Sequence, residues 1–154
     1  MFNNILIVCV GNICRSVVGE RILAGKLNAS HPHISVGSAG LGAVVGHPAD
    51  ETAATVAARH GTSVEGHVAR QFTADLGREN DLILVMEPEH RRRITSLYPE
   101  LSGKVMLFDQ WTGAQGIPDP YRKTSEFHED VYRKIAAGAS AWAGKLGASD
   151  VGKN

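Results

Sequence analysis

An apolar run, Ile5-Leu6-Ile7-Val8, ends in Cys9-Val10-Gly11-Asn12-Ile13-Cys14-Arg15-Ser16, which sets a thiol and a guanidinium at the two ends of a short loop. The run predicts a buried strand leading in, and the apolar spacing beyond Ser16 predicts a helix leading out. The first N–H groups of a helix lack internal partners and its dipole favours negative charge there, so a helix start receives anions. A loop curled so that further N–H groups point inward makes a nest for a tetrahedral oxyanion. Gly11 permits the positive φ that such a loop requires, and Asn12 tolerates it better than most residues. A cysteine at the mouth of the nest is expected to ionise well below the free value of about 8.5. Arg15 offers a planar fork for two phosphate oxygens at once. A lone cysteine is more often a small buried hydrophobe; here the spacing to Arg15 favours a thiolate nucleophile facing a phosphate. Val10, Gly11, Asn12, Ile13, Cys14 and Ser16 are then the residues expected to bind that phosphate.

Thiolate attack on a phosphate monoester needs an acid for the leaving oxygen. Asp119, between two prolines in Ile117-Pro118-Asp119-Pro120-Tyr121, is held on a stiff loop and is the best candidate, although Asp and Pro also abound in plain turns. Tyr121 beside it either stacks on a substrate ring or packs. Ser16 falls at the predicted helix start, where a hydroxyl caps; it can also donate to the thiolate. Two readings of Cys14 stay open: a packed bystander, or a second thiol that traps an oxidised Cys9 as a disulfide. Zinc is not expected, because the nearby histidines, His31 and His33, do not match the usual ligand spacing. Arg91-Arg92-Arg93 with His90 reads as the solvated face of a helix, a docking surface for an acidic partner being the lesser reading. His67 and Arg70 either brace the phosphate loop or occupy a surface turn.

The rest of the chain must position that loop. Strand-like and helix-like segments alternate, which predicts an α/β fold with a largely parallel sheet. Strands are expected over 4–9, 34–39, 81–86 and 104–108. Helices are expected over 17–29, 50–60 and 88–97, and a long final one carries Phe127, Val131, Ile135 and Trp142 on one face. Ligands in such folds sit at the carboxyl ends of the strands, where the Cys9 loop falls. One domain over residues 1–146 is expected, with a polar, frayed tail over 147–154. Sixteen basic residues balance sixteen acidic ones, so neither nucleic acid nor membrane is an expected partner. No apolar stretch is long enough to span a bilayer, and the N-terminal run lacks a basic leader. A cytoplasmic location is expected, and a reducing compartment suits a working thiol.

At Val8–Ser16 and at Asp119-Pro120-Tyr121-Arg122-Lys123 the chain resembles the low-molecular-weight protein tyrosine phosphatases. The likeness continues through Ser38–Ala43, Asp81–Met86 and Lys104–Phe108, and is closest to bacterial members acting on tyrosine autokinases that govern capsule and exopolysaccharide export. The resemblance implies a single three-layer domain, a four-stranded parallel sheet with helices on both faces. It implies Cys9 as nucleophile, Arg15 as phosphate clamp and Asp119 as general acid, then base. Asn12 and Ser16 would shape the loop and hold the thiolate. No cofactor is implied, and the expected partner is a phosphotyrosine protein, a bacterial tyrosine autokinase, met by a mostly monomeric enzyme. Two positions depart from the family pattern: Val17 stands where Pro is common, and Arg122 where eukaryotic members carry a second Tyr. Three rival readings share parts of the pattern: an arsenate reductase of the same fold, a non-catalytic phosphotyrosine-binding module and a dithiol redox protein. An arsenate reductase generally needs further cysteines downstream, and the sequence has none after Cys14.

Overall fold

The structure, a computed structural model, describes residues 2–151, with side chains described through Gly147. Four strands, β1 (Asn4–Cys9), β2 (Ser35–Gly40), β3 (Leu82–Val85) and β4 (Val105–Leu107), form one parallel sheet in the order β2-β1-β3-β4. Ile5, Leu6, Ile7 and Val8 are all fully buried. A central parallel strand is covered on both faces, which is why it reads as a continuous apolar run rather than an alternating one.

Successive β1 side chains serve different layers, as strand pleating requires. Ile5, Ile7 and Cys9 join Leu82 and Leu84 under α1 (Arg15–Asn28), α2 (Glu51–Arg59) and α5 (Ser125–Val151), where Val17, Leu23, Val56, Val131 and Ile135 close the packing. Leu6 and Val8 join Ile83 and Val85 on the opposite face, under Ile94 of α4 (Pro88–Leu97), Phe72 and Leu101. The three-layer α/β architecture is the one expected. Strand order reverses about β1, whose neighbours β2 and β3 lie to either side, so the carboxyl end of β1 opens onto the crevice where ligands bind in such sheets.

Several boundaries differ from the sequence reading. Helix α1 begins at Arg15, not at residue 17, so Arg15 and Ser16 are helical and Cys14 is the capping residue. A short helix, α3 (Ala74–Glu79), capped by Thr73 through a 3.2 Å bond to Leu76 N, and a 3-10 turn over Pro99–Lys104 were not expected. Helix α5 runs through Gly147 to Val151, beyond the expected domain end at 146; residues 152–154 of the expected tail lie outside the described residues. Arg91, Arg92 and Arg93 are exposed, but Arg91 Nε donates to Val105 O at 2.9 Å and Arg93 Nη2 to Leu41 O at 3.3 Å. Two of the three therefore tie α4 to neighbouring segments, which a free solvated face would not do.

Candidate functional site

Every carbonyl from Cys9 to Cys14 accepts a hydrogen bond. Leu41 N, Gly42 N and Val44 N reach Cys9 O, Val10 O and Gly11 O at 2.9, 3.0 and 3.0 Å, and Asp50 N reaches Ile13 O at 2.8 Å. His67 Nε2 donates to Asn12 O at 2.6 Å, and Val18 N closes on Cys14 O at 3.3 Å. In a trans peptide the C=O and the following N–H point in opposite directions. Carbonyls drawn outward to this ring of donors therefore turn the amides of residues 10–15 inward. The segments supplying the donors are the stretch after β2, the start of α2, the turn holding His67 and, for Cys14 O, α1 itself.

Asn12 is the keystone of the curl, at φ +60° and wholly buried. Its Nδ2 donates to Ser16 Oγ at 2.8 Å and to Ser38 Oγ at 3.0 Å. Its Oδ1 accepts from Arg70 N at 2.9 Å, so both ends of the amide are satisfied. Ser38 Oγ in turn donates to Glu20 Oε1 at 2.6 Å. Ser16 Oγ lies 2.9 Å from Cys9 Sγ. Because that oxygen already accepts from Asn12, its own proton is free to point at the sulfur. Ser16 does not cap α1, whose capping position makes no side-chain bond. His67 and Arg70 brace the loop, the first of the two readings offered for them.

Arg15 is 2% exposed and gathers the rest of the site. Its Nη1 donates to Ile117 O at 2.8 Å and to Glu87 Oε2. Its Nη2 lies 3.8 Å from Asp119 Oδ2. Asp119 Oδ1 accepts from Tyr121 N at 3.0 Å, a local turn that fixes the carboxyl at the loop tip, with half its side chain exposed. A cavity of about 220 Å³ opens between these parts, lined by Cys9, Val10, Gly11, Ile13, Cys14, Arg15, Gly42, Val44, Asp119 and Tyr121. Asn12 and Ser16, expected among the phosphate-binding residues, stand buried behind the loop, where their side chains hold its shape. Both cysteines are free and buried. Burial, then the charges of Asp50, Cys9 and Asp119, push the Cys14 thiol upward against the opposing pull of Arg15.

Sequence reasoning missed Glu87, Ser38, Glu20 and Gln71. Gln71 takes Ala43 N on its Oε1 and gives its Nε2 to Leu41 O, both at 2.9 Å, and so fixes one wall of the cavity. Glu87 stands two residues past the end of β3 and Ser38 lies in β2; the carboxyl ends of the strands beside β1 were the signal that could have found them. Among the described residues no group of three or more His, Cys, Asp or Glu is arranged to hold a metal ion. No helix among them is long and apolar enough to cross a membrane.

A parallel sheet whose central strand delivers a cysteine into an amide-lined loop, closed by a buried arginine and faced by an aspartate, defines an α/β domain of the cysteine-phosphatase class. Residues 4–152 match the model of the low molecular weight phosphotyrosine protein phosphatase family. The chain belongs to that family and is a low-molecular-weight protein-tyrosine-phosphatase. It is 52% identical over 151 residues to the low molecular weight protein-tyrosine-phosphatase Wzb of Escherichia coli K12, covering 98% of this chain and 100% of that one. The crystal structure of the tyrosine phosphatase Wzb from Escherichia coli K30 in complex with sulphate superposes with a TM-score of 0.90 at 45% identity, covering 95% of this chain and 99% of that one. Vibrio vulnificus Wzb in complex with benzylphosphonate gives 0.89 at 46% identity, over 94% and 99%.

Proposed function

We propose that the enzyme hydrolyses phosphotyrosine in two steps through a cysteinyl-phosphate. The dianion enters the loop with its equatorial oxygens on the amides of residues 10–15 and on the Nη2 edge of Arg15. Cys9 Sγ, as thiolate, attacks phosphorus in line while the P–O bond to the phenol breaks and Asp119 protonates the departing oxygen. The Asp119 carboxylate then takes a proton from a water that attacks the same phosphorus. Inorganic phosphate leaves and the thiolate is restored. Fixed donors stabilise the charge on the transferring phosphoryl, the term that dominates this chemistry. The Ser16 hydroxyl donates to the sulfur, and Tyr121 lies against the substrate ring.

The observation that carries this reading is the set of six engaged carbonyls, which leaves the amides beside Cys9 facing the cavity. The relatives bound to sulphate and to benzylphosphonate support the ligand class. The physiological substrate is a tyrosine autokinase governing exopolysaccharide production, met in the cytoplasm by a monomer; the bacterial character of the resemblance supports this part. Leaving-group dependence tests the chemistry. Asp119→Ala should slow aryl phosphates with poor leaving groups far more than activated ones, and Cys9→Ser should abolish turnover while phosphate still binds. Equal slowing of both substrate types would reject Asp119 as the acid.

A further inference from the structure

Glu87 is the capping residue of α4, yet its carboxylate makes no capping bond to that helix. It turns to Arg15 instead, and Glu87 Oε2, the oxygen that accepts from Arg15 Nη1, also lies 3.4 Å from His90 Nε2. His90, one helical turn along, is 6% exposed, and its Nδ1 is buried without a hydrogen-bond partner. A side chain there for packing alone would have no need of a ring with an orphaned nitrogen, whose desolvation an apolar residue avoids. Burial, then the Arg15 guanidinium, hold His90 below the ordinary histidine range; Arg93 acts in the same sense, Glu87 and Asp119 in the opposite one. The ring is therefore uncharged near neutral pH. A carboxylate facing Nε2 places the single proton on that nitrogen and leaves the lone pair on Nδ1.

We infer that His90 is a positioning residue for turnover: its Nε2–H holds Glu87 Oε2 on Arg15 Nη1, so that the Nη2 edge of the guanidinium alone is presented to phosphate. The inference rests on the proposed role of Arg15 as the phosphate clamp. Glu87 is more than a third exposed and has two competing destinations, solvent and the open N–H groups of its own helix. His90 removes that choice. With Glu87 held, Arg15 keeps two fixed acceptors on Nη1, the carboxylate and Ile117 O, and cannot rotate away from the cavity.

The test compares His90→Leu, which deletes both nitrogens, with His90→Gln, whose amide donor reaches the place of Nε2. His90→Asn is the short control. His90→Leu should lower kcat/KM for an aryl phosphate about 10- to 100-fold, the scale of a misplaced reacting group. Vanadate inhibition should weaken in step while the melting temperature holds or rises. His90→Gln should recover most of the activity and His90→Asn little, and this pair decides the matter if the leucine variant does not fold. In a Glu87→Gln background the His90→Leu loss should shrink to within two- or three-fold, because the residue acts through that carboxylate. Unchanged kcat/KM in His90→Leu, equal loss in the Gln and Asn variants, or a loss undiminished beside Glu87→Gln overturns the inference. An Arg15→Ala arm separates the two levels. If it keeps turnover and vanadate affinity, the clamp itself is wrong; if it loses both while His90→Leu is normal, only His90 is misassigned.

Discussion

Gly40 ends β2 opposite Cys9 in the sheet register, and a methyl group there would meet the phosphate loop head-on. A Cβ built on Gly40 lies 2.2 Å from Val10 O and 3.1 Å from both Asn12 N and Asn12 Cβ. Real Cβ contacts essentially never fall below 3.0 Å, so Gly40→Ala must drive β2 and the loop apart by at least 0.8 Å. The obstacle is backbone rather than the end of a flexible side chain. Val10 O is itself fixed by Gly42 N, and Gly40 by the bonds Gly40 N to Arg70 O and Phe72 N to Gly40 O. No positive φ is involved at this position, so the cost is steric only. Overpacking of this kind costs about 1–3 kcal/mol, a fall in melting temperature of about 3–10 °C for a chain of this length. The functional loss should be larger than the stability loss suggests, because a displacement approaching 1 Å at reacting groups costs about 100-fold in rate. Calorimetry paired with kcat/KM on p-nitrophenyl phosphate reads both quantities. A Gly40→Ala enzyme with wild-type kcat/KM and an unchanged melting temperature would refute the packing of β2 against the loop described above.

Asn12→Ala strands the Arg70 amide and takes a donor from each of two serine hydroxyls, at a left-handed backbone position, and should cost about 2–4 kcal/mol; a urea midpoint within error of wild type would contradict it. In the Cys9→Ser variant the remaining Cys14 thiol, pushed up by burial, should resist iodoacetamide at pH 8 until the protein is unfolded, as mass spectrometry will show; prompt labelling of the folded variant would count against that environment. The Asn3 and then the Asn4 amide, at 2.8 and 2.9 Å, hold the Asp81 carboxyl below the usual carboxylate range. A carboxyl lowered by folding contributes stability above its unfolded value of about 3.9 and loses it as pH falls from there through the lowered folded value. Wild type and Asp81→Asn should therefore differ in urea midpoint at pH 6 and converge as acidification passes through the lowered folded value, whereas an offset constant at every pH would rule the linkage out.

The elements that were legible in the sequence are those whose signals are local. Ile5 to Val8 announce a two-sided buried strand, and the helix expected over 50–60 forms over Glu51–Arg59, with Asp50 capping it and Gly61, at φ +81°, just beyond its end. Cys9, Asn12 and Arg15 carry their chemistry in spacing; the positive φ expected at Gly11 falls instead at Asn12. Illegible parts depend on partners far along the chain. Helix α3 is six residues long and contains Gly77, a poor helix former, which is admitted because its bare Cα sits where a Cβ would come within 2.5 Å of Leu101 Cδ1. Ser16 carries two local readings, and only its place in the fold decides between them: the cap is not made, while Cys9, a loop away on β1, is in reach of its hydroxyl. Arg91 and Arg93 read as solvated because the carbonyls they reach, Val105 O and Leu41 O, belong to other segments.

The same distinction explains how one short loop comes to depend on so much of the domain. Its own sequence provides the nucleophile and the residues able to curl, but a curl with inward amides is stable only if each outward carbonyl finds a donor. Those donors come from the stretch after β2, from the start of α2, from His67 and from the first turn of α1, while Arg15 fixes the loop to Glu87 after β3 and to Ile117 on the acid loop. Each contact is a single hydrogen bond, of order 1 kcal/mol net, so no one of them defines the site. Their convergence at the carboxyl end of β1 does, because losing any donor leaves a carbonyl to be satisfied by turning inward, where it would face the phosphate with the wrong charge.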